Sequence, residues 1–163
     1  MDLHTKTITR TFIAAALALA ACPLSAQVPV YGPNVTLEQA KKATAAAEAE
    51  ATKLGVPEAI AVVDTAGQLV YFVRQENTQT ASIAVAQDKA ISAAGYRRPT
   101  KVFQDAVAGG GAGLRVLTLR AVNAVDGGIP LVQDGKIIGA IGASGGTPDQ
   151  DGVIAKAGVD GMK

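Results

Sequence analysis

Residues 136–151, KIIGAIGASGGTPDQD, constrain this chain more than any other stretch. Ile137, Ile138, Ala140, Ile141 and Ala143 form a nearly continuous apolar run, as expected of a strand buried on both faces. Gly139 and Gly142 interrupt it, and a glycine inside a strand marks a bulge or the close approach of another backbone or a ligand. Ser144-Gly145-Gly146 ends the strand. Thr147-Pro148-Asp149-Gln150 opens a helix: Thr147 is an N-cap, Pro148 suits the first helical position, and Gln150 completes a capping box. A strand therefore runs through a glycine turn into a helix N-terminus. The N–H groups of Ser144, Gly145, Gly146 and Thr147 either hold an anion there or make a tight connection.

The beginning of the chain reads differently. Lys6 and Arg10 precede the apolar, alanine-rich run Phe12–Ala21, and Leu24-Ser25-Ala26 is a small-residue cleavage site behind Pro23. Residues 1–26 are thus expected to be a secretory signal, and the protein periplasmic or secreted. Leu19-Ala20-Ala21-Cys22 offers an alternative, a lipobox in which Cys22 is lipidated and tethers the protein to a membrane. Residues 27–35, with Pro29 and Pro33, read as an extended leader, and 36–163 as one domain.

Charge and residue usage exclude several classes. The chain has 15 Lys and Arg against 14 Asp and Glu; Lys6, Arg10 and Asp2 fall in the signal, which leaves a neutral domain. Such a domain has no basic footprint for nucleic acid. The one Cys (Cys22) and the one His (His4) also lie in residues 1–26. The domain proper therefore lacks disulfides, a cysteine nucleophile, a Ser-His-Asp arrangement and thiolate or imidazole metal sites, and no metal is expected.

The remaining elements follow in order. Thr36-Leu37-Glu38-Gln39 is a capping box, and Leu37, Ala40, Ala43, Ala47, Ala51 and Leu54 repeat at helical spacing up to Gly55. Ala59–Val63 and Gln68–Arg74 form a hairpin around Asp64-Thr65-Ala66-Gly67, with Leu69, Tyr71 and Val73 on one face and Val70 and Phe72 on the other. A second helix, capped by Thr78 or Thr80, runs to about Ala94 and is apolar on two sides, as if held between a sheet and a second layer or subunit. Thr100 is expected to cap a short helix, Lys101–Ala108. Gly109–Gly113 lacks the order of a nucleotide-binding glycine motif. Arg115–Ala121 reads either as a strand or as a short helix. Asp134-Gly135 between apolar runs signals a second hairpin, and the last helix is expected over about Pro148–Ala157, stopped by Gly158. The order predicts an α+β domain with helices on a central antiparallel sheet of about five strands.

Several residues invite chemistry. Lys89 is a candidate base or Schiff-base amine, given burial, with Asp88 or Asp151 as acid. Arg97 and Arg98 suit a carboxylate or phosphate ligand, as Lys89 does, or equally cap carbonyls or pair with acids on another helix. Tyr71 either touches a ligand or is core with its hydroxyl at the edge.

Asp64-Thr65-Ala66-Gly67, Asp88-Lys89-Ala90, Arg98-Pro99-Thr100, Gly128-Ile129-Pro130-Leu131 and the long stretch Gly139–Asp151 occur in the order seen in the GlcG/HbpS-like family, which the chain resembles over nearly all of Val35–Gly158. The resemblance implies a profilin-like fold and homo-oligomers, octamers in some secreted members. It also implies haem binding or handling, an association with glycolate utilisation, and a link to corrinoid adenosyltransferases. Haem-binding relatives often use an axial histidine, which this domain lacks; the resemblance then leaves Tyr71 or Tyr96 as axial candidates through their hydroxyls, or Met162 through its thioether unless it belongs to a frayed tail, with Arg97, Arg98 or Lys89 for propionates. The alternatives are a module for a small, glycolate-like carboxylate, or an enzyme on a small oxo- or hydroxy-acid using Lys89.

Overall fold

The computed structural model describes residues 28–162, so the expected signal and Cys22 lie outside the described residues. Helix α1 (Leu37–Leu54) begins at Thr36, whose hydroxyl accepts from the Gln39 N–H while the Gln39 side chain accepts from the Thr36 N–H. Gly55 closes it at φ 69°, the left-handed cap that glycine adopts without steric cost. The buried stripe is Ala40, Ala43, Thr44, Ala47 and Ala51; Leu37 and Leu54, at its ends, are exposed. Four alanines in that stripe let the helix axis lie close to the sheet.

Strands β1 (Ala59–Asp64) and β2 (Leu69–Arg74) form the first hairpin. Asp64 Oδ1 accepts from the N–H groups of Ala66 and Gln68 and fixes the turn. The register slips between Val62, opposite Tyr71, and Val63, opposite Leu69, leaving Val70 as an extra residue. This bulge corrects the simple alternation: Val70 and Tyr71 both pack against the same core, and Phe72 against the other.

Helix α2 (Ser82–Tyr96) starts without a side-chain cap. Thr78, expected in that role, instead donates to the Gln75 carbonyl, because an intervening turn carries the chain into the helix. Helix α3 (Lys101–Ala108) is where it was expected, but Thr100 does not cap it. The Thr100 hydroxyl accepts from Gly128 N–H and its own N–H donates to Gly128 O, which pins α3 to the start of the second hairpin.

Strands β3 (Gly128–Gln133) and β4 (Lys136–Ser144) join through Asp134 and Gly135, both at positive φ, as a tight two-residue hairpin requires. Helix α4 (Pro148–Gly161) opens on the expected Thr147–Gln150 capping box and runs past Gly158. That glycine is not a stop signal. It is buried mid-helix, where a β-carbon would come within 2.5 Å of Ile141 Cδ1 and 3.0 Å of the Ala43 carbonyl oxygen.

The sheet order is β2-β1-β4-β3, every pair antiparallel. It has four strands, not five. The Gly111–Thr118 segment forms a 3₁₀ helix, where a strand was one of two expectations. Gly113 explains the choice: its missing β-carbon would sit 1.9 Å from the Ala106 carbonyl oxygen, so the segment beds directly on α3. The nearest thing to a fifth strand is the leader. Ile137 N–H donates to Val30 O, Gly32 N–H to Ile137 O and Val35 N–H to Ile138 O, with one parallel bridge at Tyr31.

Helices α1 and α4 cover one face of the sheet over Ile60, Val62, Leu131, Ile138 and Ile141. Helix α2 covers the other over Ala59, Ala61, Val63 and Ala140. The interrupting glycines of β4 permit close approach: a β-carbon on Gly142 would stand 2.0 Å from the Ala86 carbonyl oxygen of α2.

Candidate functional site

Lys89 points from α2 into the interior and is fully buried. Its Nζ donates to Asp151 Oδ2 at 2.6 Å and to the Ala143 carbonyl at 3.0 Å. The sequence makes room for it with Gly127, at φ 119°. A β-carbon there would fall 2.9 Å from Lys89 Nζ, 2.8 Å from Asp151 Cβ and 2.6 Å from Ala143 O. Asp151 lies in the first turns of α4, where the helix dipole favours an anion, and its Oδ1 accepts from Gly146 N–H at 2.9 Å. Both Asp151 oxygens are thus taken.

Glu58, immediately before β1, completes the cluster. It is fully buried, and neither carboxyl oxygen has a hydrogen-bond donor; the neighbouring Gly146 N–H is already given to Asp151. Burial, and then the nearby Asp151 carboxylate, push its carboxyl up to about 8, with the Lys89 charge opposing. Asp126, two residues ahead of β3, also feels the Lys89 charge. Burial raises its carboxyl above the usual range, opposed by the Gly127 N–H, which it accepts at 2.7 Å, and by Lys101 and Lys89.

A second group of polar side chains gathers where α2 ends. Arg97 takes the left-handed cap position at φ 55°, with its guanidinium 5.6 Å from the Tyr31 ring centre. Arg98 Nε donates to the Tyr96 carbonyl, and its guanidinium lies 5.9 Å from the Phe103 ring. Tyr96 meets Phe103 edge-on at 5.3 Å and donates its hydroxyl hydrogen to Arg120 O. That carbonyl lies just beyond the 3₁₀ segment, which with α3 exposes Val102, Leu114, Leu117 and Leu119.

The structure therefore joins Lys89, Asp151 and Gly146 at one place and Tyr96, Arg97 and Arg98 at another. Asp88 faces outward beside a cleft of about 180 Å³ shared with Ile91, Ala121, Val122 and Asn123. Tyr71 is half-buried on the α1 side of the sheet, with Lys41 Nζ 5.8 Å from its ring centre. Met162 lines a cleft with Gln39, Val132, Gln133 and Asp134. Ser144 pairs its hydroxyl with that of Ser82, Gly145 lies against the Pro57 carbonyl, and Thr147 N–H donates to Gln150 Oε1. The N–H groups of Gly146 and Thr147 are thus given to the chain's own side chains. Sequence reasoning missed Glu58 and Asp126. The one available signal was a carboxyl directly abutting the apolar run of β1.

Residues 35–160 match the family model described as "Haem degrading protein HbpS-like". The chain belongs to the HbpS-like family. This HbpS-like chain is 37% identical over 107 residues to Protein GlcG of Escherichia coli K12, covering 66% of itself and 78% of GlcG. Among solved structures it is similar to Klebsiella pneumoniae ORFY, with a TM-score of 0.73 at 30% identity over 80% of this chain and 92% of that one. It is also similar to the protein of a PduOC:haem complex, with a TM-score of 0.71 at 29% identity over 78% and 94% of the two chains.

Proposed function

We propose that this chain binds haem or a related tetrapyrrole. One observation carries the reading: a protein of the same fold, 94% of whose length this chain covers, was solved as a haem complex. The residues here fit such a ligand. A haem asks for an apolar contact face, cations for two carboxylates and a ligand for iron. Val102, Leu114, Leu117 and Leu119 supply exposed apolar surface beside Arg97 and Arg98. Tyr96, whose hydroxyl reaches the end of the 3₁₀ segment, supports the role of axial ligand better than Tyr71, which lies on the α1 face of the sheet. Lys89 is withdrawn from this surface by its ion pair, which favours a binding protein over a lysine-base enzyme.

The same proposal includes a profilin-like classification of the fold, export on residues 1–26, and a homo-oligomer. The experiment that tests the central claim is a hemin titration followed by visible absorption. A saturating Soret band with defined stoichiometry, whose charge-transfer bands change in Tyr96→Phe, is the expected result. A broad, non-saturating spectrum overturns haem binding, and a saturating band unchanged in Tyr96→Phe moves the ligand elsewhere.

A further inference from the structure

Counting charges at the buried cluster gives one ammonium and two carboxyls. Lys89 is already neutralised by Asp151, whose two oxygens are both engaged, so an ionised Glu58 has no counter-charge left to meet. A buried, unpaired charge is too costly to keep, and the group holds a proton instead. Protonated, Glu58 places no second negative charge beside the Asp151 carboxylate.

The groups that face Glu58 come from three elements: Asp151 from α4, Lys89 from α2 and the Gly146 N–H from the turn after β4. Asp126, ahead of β3, also interacts with the Lys89 charge. The turn itself rests on Glu58. A β-carbon on Gly145 would come within 2.1 Å of the Pro57 carbonyl oxygen and 3.0 Å of Glu58 Cα, and Gly146 packs against Val56.

We propose that Glu58 is a proton-operated latch: its protonated carboxyl lets the Ser144–Thr147 turn and the start of α4 close onto β1, and loss of that proton loosens both. Ionisation puts a second negative charge beside Asp151, and the cheapest relief is for Asp151 and Gly146 to move away with the turn that carries them. This inference stands apart from the tetrapyrrole reading and survives its failure.

Hydrogen exchange read by mass spectrometry on the full chain, at pH 6 and pH 9 and corrected for intrinsic rates, tests it. Expected is a loss of protection at pH 9 at least tenfold greater in peptides spanning 144–152 than in α1 peptides, which report the global loss, and no such excess in Glu58→Gln. Equal corrected protection at both pH values overturns the latch, as does an equal loss in Glu58→Gln. Should Glu58→Gln not fold, the infrared carbonyl band of a protonated carboxylic acid decides the matter in Asp126→Asn, where the other raised carboxyl is gone. The band present at pH 7 and lost by pH 9, together with the excess loss of protection over 144–152 in that variant, upholds the proposal; its absence at pH 7, its persistence at pH 9, or its loss without that change in protection overturns it.

Discussion

Gly142 in β4 lies so close to Ala86 in α2 that a β-carbon on the glycine would stand 2.0 Å from the Ala86 carbonyl oxygen. A second backbone atom crowds the same point, Ala90 N at 2.7 Å. Backbone, not a flexible side chain, occupies the space, so nothing can swing aside. Gly142→Val is expected to force α2 off the sheet and cost at least about 3 kcal/mol, the upper part of the overpacking range. Urea unfolding followed by circular dichroism measures it; a loss below about 1 kcal/mol would show that α2 shifts freely.

The Lys89–Asp151 pair predicts a non-additive cycle. Lys89→Met leaves Asp151 and Glu58 buried together without a cation, and removing one partner of a buried pair costs about 3–5 kcal/mol. Lys89→Met combined with Asp151→Leu removes both charges and should cost less than Lys89→Met alone. Equilibrium unfolding of the two variants decides, and a double variant less stable than the single would count against this account.

Global stability should depend on pH through Glu58. Its carboxyl titrates near 8 in the folded chain against an ordinary value of 4.5. Between those values the native state holds a proton that the unfolded chain has lost. Stability from this group is therefore complete below about pH 4.5, falls as pH rises towards 8 and is flat above, by at most about 5 kcal/mol in total. Unfolding free energies from pH 5 to pH 9 should show that decline in the wild type and a shallower one in Glu58→Gln.

The α4 capping box gives a smaller, local effect. Thr147 Oγ1 accepts from Gln150 N–H, and Gln150 Oε1 accepts from Thr147 N–H. Thr147→Ala is expected to cost about 1 kcal/mol. Since the Gly146 N–H still reaches Asp151, Lys89 exchange protection should stay unchanged in that variant, which amide exchange on α2 peptides would check.

Much of the fold was legible because local signals agreed with each other. Capping boxes at Thr36 and Thr147, the Asp134-Gly135 turn and the glycines of β4 each named a feature that the structure contains. The misreadings have a common cause. Gly158 looked like a stop signal but serves a tertiary contact, as Gly113 does, and such a contact leaves no local trace. Val70 upset the β2 alternation because a bulge depends on the partner strand as well. The burial of Lys89 was equally hidden: its neighbours in sequence show an alanine-rich helix, and only the fold brings Asp151 to it, 62 residues on. Glu58 belongs to the same class, since its environment is assembled from α2, the end of β4 and α4.

Val30, Gly32 and Val35 are stitched to Ile137 and Ile138, at the start of β4. The Ala143 carbonyl that anchors Lys89 is six residues further along the strand, roughly 20 Å at the usual rise. A pull applied at Val28 is therefore resisted first by three backbone hydrogen bonds at one end of β4. The ionic junction at the far end is mechanically sheltered until those bonds give way.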